Sequence, residues 1–209
     1  MNRTLGLLLW VFASAVVSAA PLSRDLGDHL VYHRIHSLPA ELPATKAARP
    51  QAYVIDVRYA ESDAGGATAL QAWIRFHATP HTPVFVLVNA VTEPALLALL
   101  AARGAGPNVV VLGAVHGTFA PDIAIEIPPE NERLAYDALE QGAELAALLS
   151  ENADKVRNDE ARLAKDHSPE NAERSAASKA GNRTPTPPLD ATLQRAVHLH
   201  RALRALKKI

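Results

Sequence analysis

Thr92, Glu93 and His116 are the residues whose types and spacing best suit chemistry. A hydroxyl at the turn before an apolar run, an imidazole on a later loop and a neighbouring carboxylate could act as nucleophile, base and orienting group. Such a base is required, because a free hydroxyl is a poor nucleophile. Asn89 heads the turn that carries Thr92. The competing reading makes Thr92 the N-cap of the following helix and His116 an ordinary loop residue. We take that second reading as the expectation and keep the Thr92–His116 pair as the alternative.

The chain has nine histidines. His29, His33 and His36 have the spacing of helical metal ligands but lie in an alternating strand pattern, so His36 points away from the other two. His77 and His81 bracket Pro80 in a turn. Without carboxylates at fixed offsets, neither set implies a metal, and no cofactor is expected. Asp56 and Arg58 read as a structural ion pair at a strand end, and Glu126, Glu130, Glu132 and Glu140 as solvated charges. The absence of cysteine excludes thiolate nucleophiles, disulfides and cysteine-based metal sites. A formal net charge of −1 gives no polyanion-binding surface, so nucleic acid is not an expected partner.

These residues are positioned by an alternation of strands and helices. An unbroken apolar run at 84–88 reads as a strand covered on both faces, the similar runs 53–57 and 108–113 as its flanking strands, and 30–36 and 121–127 as further strands. Helices are predicted over 67–76, from Pro94 to Arg103 with Gly104 as C-cap, and over 132–149. The order implies an α/β fold built from crossover connections, with ligands at the carboxyl ends of the strands. Residues 1–19 read as a signal peptide: Arg3, an apolar stretch, and Val17-Ser18-Ala19 as the cleavage site, so the mature protein is expected to be exported. The α/β domain is expected over 25–149, and the polar stretch 150–188 is expected to be disordered. A basic amphipathic helix closes the chain over 189–209, with Leu193, Val197, Leu203 and Leu206 on its apolar face. It either docks on the domain, the expected outcome, or lies on a membrane surface.

The order of motifs resembles the carboxyl-terminal processing (tail-specific) protease family, of the ClpP/crotonase-like fold. Val54-Ile55-Asp56-Val57-Arg58 with Gly65-Gly66 is similar to that family's strand and Gly-Gly loop. Pro83 to Asn89 resembles its next strand, and Asn89 to Leu97 sits where it carries the nucleophile helix. Val109 to Gly113, Gly117 and Pro121-Asp122-Ile123 fall where it has its next strand, its lysine loop and a Pro-Asp segment. The resemblance implies a layered α/β fold with mainly parallel strands and crossover helices. It also implies a serine nucleophile and a lysine base, which this chain lacks. Pro94 stands at the nucleophile position, no serine lies between Ser62 and Ser150, and no lysine between Lys46 and Lys155. The expectation is therefore a pseudo-enzyme without catalytic residues. Its former substrate cleft, marked by Gly65, Gly66, Asn89, Thr92, Glu93 and His116, would hold a peptide or protein partner. An active hydrolase using Thr92 and His116, or a membrane-surface accessory protein, are the alternatives.

Overall fold

The aliphatic runs become interior strands of one six-stranded sheet. The computed structural model describes residues 22–44, 50–102, 106–149 and 188–209. The expected signal segment and Gly104 lie outside the described residues, as does the polar stretch up to residue 187. The strands are β1 (Leu22–Asp25), β2 (Leu30–Arg34), β3 (Ala52–Asp56), β4 (Val84–Val88), β5 (Val109–Gly113) and β6 (Ile123–Ala124), paired in sequence order. β1 runs antiparallel to β2, and all other pairs are parallel. The protein is thus an α/β protein with a mostly parallel sheet.

Both faces of the sheet are covered, which is why β3 and β4 lack polar alternation. Tyr53, Ile55, Val84, Val86 and Val88 pack on one side with Leu70, Trp73 and Ile74 of α1 (Ala64–His77) and Leu96, Leu97 and Leu100 of α2 (Pro94–Ala101). Ala52, Val54, Phe85, Leu87 and Leu112 face the other side. There they meet Leu139 of α3 (Pro129–Glu140), Leu148 of α4 (Leu145–Leu149), and Leu193, Ala196 and Val197 of α5 (Ala191–Ala205). The C-terminal helix therefore belongs to the core of the unit expected over 25–149. Its apolar residues Leu193 and Val197 face the domain and are buried. No helix among the described residues is long and apolar enough to cross a membrane.

Several boundaries differ from expectation for local reasons. Strand β1 was not anticipated, because its exposed Ser23, Arg24 and Asp25 carry no apolar signal. Helix α1 starts at Ala64, since the Asp63 carboxylate accepts from the Gly66 N–H at 2.7 Å. Gly65 and Gly66 thus belong to the first helical turn. Gly66 has a packing reason to be glycine: a Cβ there would come within 2.9 Å of Leu38 Cβ. The helix expected over 132–149 is two helices, broken at Gly142, whose φ of 89° is unfavourable for other residues. Only Ile123–Ala124 of the expected strand 121–127 pairs with β5.

Two histidines are part of the packing. His33 stacks on Tyr53 with ring centroids 5.7 Å apart, and Tyr53 meets Trp73 and His77 edge-on, both at 5.0 Å. Burial, with His77 alongside, lowers the His33 pKa from 6.5 to about 4. The unfolded chain therefore binds a proton that the folded ring refuses, and stability falls as pH drops from about 6.5 towards 4. We expect His33→Gln to remove roughly 1–3 kcal/mol of that acid sensitivity, measured as the difference between denaturant midpoints at about pH 7 and about pH 4.5.

Candidate functional site

Parallel pairing brings the ends of β2, β3, β4 and β5 to one edge of the sheet, where ligands of open α/β sheets bind. Arg34 ends β2 beside Asp56, which ends β3, and Arg58 follows within two residues. All three are fully buried. Arg58 donates to Asp56 through Nε at 3.0 Å and Nη2 at 2.7 Å. It also grips Asp190, the N-cap of α5, through Nη1 at 3.1 Å and Nη2 at 2.7 Å. Asp190 in turn accepts from the Leu193 N–H at 3.0 Å. Burial works against the Arg58 charge, but Asp190 and Asp56 outweigh it and hold the guanidinium well above its ordinary pKa. Burial likewise pushes Asp56 up, and Arg58 more than reverses this, leaving the carboxyl below its usual range.

Helix α3 lays Glu132, Tyr136 and Glu140 along this cluster at four-residue spacing. Glu132 Oε1 is 3.7 Å from Arg58 Nη1, and Glu140 Oε1 is 3.6 Å from Arg34 Nη1 and 2.8 Å from His36 Nε2. The expectation that Glu132 and Glu140 are solvated charges is thereby corrected: both are paired, and Glu132 is buried. Burial raises the Glu132 pKa; Arg58 pulls against the rise, and Asp190 and Asp56 add to it. The Arg34 guanidinium lies 3.7 Å above the Tyr136 ring. Its two terminal nitrogens and the Tyr136 hydroxyl are buried without hydrogen-bond partners among the described residues.

The expected Asp56–Arg58 ion pair is present, with Asp190 as an unforeseen third member. Asp190, Arg34 and Tyr136 were missed. The four-residue repeat Glu132, Tyr136, Glu140 was the signal for a polar helix face turned inward, while nothing local marked Arg34.

The turn after β4 is closed on itself. Thr92 is buried, and its hydroxyl accepts from the Asn89 N–H at 2.9 Å. The same oxygen stands 3.1 Å from Asn89 Oδ1 and 3.3 Å from the Arg58 carbonyl, which take its proton. Thr92 is therefore not the N-cap of α2. That place belongs to Glu93, without a side-chain bond, and Pro94 occupies the first helical turn as expected. Thr92 instead ties the β4 turn to the end of β3. Thr92→Val is expected to cost about 1–3 kcal/mol in chemical denaturation, because it leaves the buried Asn89 N–H unpaired.

His116 stands apart from this turn. It is exposed, and its backbone pairs with Phe119 in a tight turn, N–H to carbonyl at 3.1 and 2.8 Å. No hydrogen bond joins its ring to Thr92 or Glu93. The Gly66 N–H is committed to Asp63. The structure brings Asn89 and Thr92 together, places Glu93 next to them, and leaves Gly65, Gly66 and His116 outside any shared hydrogen-bonded set. Among the described residues no group of three or more histidine or carboxylate side chains is placed to hold a metal ion. At this edge Val91 on the β4 turn and Val115 on the β5 loop are both exposed, with His116 and Thr118 exposed beside Val115. Comparison with protein-family models, curated proteins and solved structures finds no match for the chain.

Proposed function

We propose that the protein is an exported, catalytically inactive relative of the tail-specific proteases, of ClpP/crotonase-like fold, that binds a peptide or protein partner at the carboxyl edge of its sheet. The observation that carries this reading is the state of the Thr92 hydroxyl. It is buried, and its hydrogen-bonding capacity is used by Asn89 and the Arg58 carbonyl. A nucleophile needs a base within reach and an open approach, and this hydroxyl has neither. Beside it Arg58, Asp56 and Asp190 satisfy one another, and a rigid ionic scaffold of this kind suits holding a surface in shape. The exposed Val91 and Val115 supply apolar area of the sort that partners cover. The order of motifs from Val54 to Ile123 supports the family assignment, and the serine and lysine missing from 63–149 support the loss of activity.

The test is treatment of the mature protein with a fluorophosphonate probe, followed by intact-mass analysis, with Thr92→Val in parallel. The expected result is no adduct on either protein. An adduct that maps to Thr92 and is absent from Thr92→Val would replace this reading with the Thr92–His116 hydrolase.

A further inference from the structure

Strand β6 is an edge strand, and no strand among the described residues pairs with its outer side. Its ladder to β5 is short. The Asp122 carboxylate takes the Val111 N–H at 2.8 Å, and the Ile125 N–H donates to the Gly113 carbonyl at 2.9 Å. Alternation along an extended chain then turns the backbone groups of Ala124 and Glu126 outward. Both residues are exposed, and the register with β5 uses the inward groups of Ile123 and Ile125 instead. Proteins usually blunt such edges with charge or proline. Here Pro121 and Pro128 bound the free stretch, and Glu126 is the one charged side chain within 123–127. Beside it, at the carboxyl ends of β5 and β6, a cavity of about 430 Å³ is lined by Val115, Ile125, Ile127 and Pro128 among others.

Resting on the reading above that the domain holds a peptide, we propose that a short extended peptide adds to the outer edge of β6. The peptide places an apolar side chain in the Val115–Ile127 cavity and a basic side chain near Glu126. Outward amide and carbonyl groups match only an extended backbone, the cavity selects an apolar residue, and Glu126 selects positive charge. A second copy of the chain fits less well, because edge-to-edge pairing would bring Glu126 towards its own counterpart.

The test uses fluorescein-labelled hexapeptides of alternating lysine and valine, read by fluorescence anisotropy against the full mature chain. Saturable binding is expected. Methylating one of the two sets of alternate peptide amides should weaken it about tenfold, and methylating the other set should change little. Ala124→Pro, tolerated where an edge N–H faces solvent, should weaken binding about as much. Glu126→Lys should reverse the preference between the lysine–valine peptide and a glutamate–valine counterpart, and it does not depend on proline being accommodated. Binding indifferent to methylation and to both substitutions, or no saturable binding, overturns the edge assignment. A dimer in sedimentation that Ala124→Pro dissociates also overturns it, since the edge then belongs to a second copy. Peptides recovered shortened would overturn the non-catalytic reading instead, with the edge still judged by the variants.

Discussion

Arg58→Met is expected to cost about 3–5 kcal/mol of folding stability, read as a shift in urea midpoint. The guanidinium is fully buried and makes four hydrogen bonds of 2.7–3.1 Å to Asp56 and Asp190. Removing it leaves the carboxylates of Asp56, Asp190 and Glu132 in one enclosed space, where like charge and burial both oppose ionisation. One of them must then take up a proton on folding, so the variant's deficit should shrink as pH falls. The same change at Arg34 should behave differently. Arg34 is equally buried, but among the described residues its terminal nitrogens take no hydrogen bond and its Nε has only the Tyr32 hydroxyl at 3.1 Å. Arg34→Met exchanges an imperfectly satisfied buried charge for apolar volume, and we expect it to lie within about 1 kcal/mol of the parent or above it. Equal losses at the two positions would mean that burial alone, and not the shared grip on Asp190, fixes the cluster.

Gly113→Ala is expected to cost about 3 kcal/mol or more, with loss of protection in the amides where β4 meets β5. Gly113 ends β5 opposite Val88 with φ of 149°, and a Cβ built there would stand 1.8 Å from the Val88 carbonyl oxygen. Backbone cannot yield as a side-chain tip can, so β5 must separate from β4. The loop carrying Val115 and His116 should move with it. Gly117→Ala is the control: its φ of 54° is also left-handed, but an added Cβ meets nothing within 4 Å. That change should cost about 1–2 kcal/mol, from backbone conformation alone. Thermal unfolding of both variants, with amide exchange at Val88, separates contact from conformation.

The parts of the fold that were legible in the sequence are those carried by long apolar patterns. Strands β3, β4 and β5 and the face of α1 bearing Leu70, Trp73 and Ile74 repeat their signal over several residues. Strand β1 has four residues, three of them polar and exposed, and its existence depends on pairing with β2 rather than on composition. The candidate site was legible only in part: Asn89 and Thr92 meet in the turn after β4, as their nearness in sequence implies, but their partners were not legible. Thr92 looked like a cap because only its neighbours in sequence were visible. Its bond to the Arg58 carbonyl spans 34 positions. Asp190 lies 132 positions from the arginine it grips, and no local rule links them. The three-part ionic cluster is a product of tertiary packing, which single-sequence patterns do not encode.

The central claim is that the carboxyl edge of the sheet binds a peptide and does not cut it. The most direct measurement is an amide-resolved NMR titration of the mature protein with a pool of short random peptides, with the peptides weighed by mass spectrometry before and after. We expect shifts confined to the turns after β4 and β5 and to β6, around Val91, Val115 and Ala124, and every peptide recovered intact. Shortened peptides, or shifts confined to the opposite end of the sheet around Gly27, Gln51 and His81, would contradict the claim.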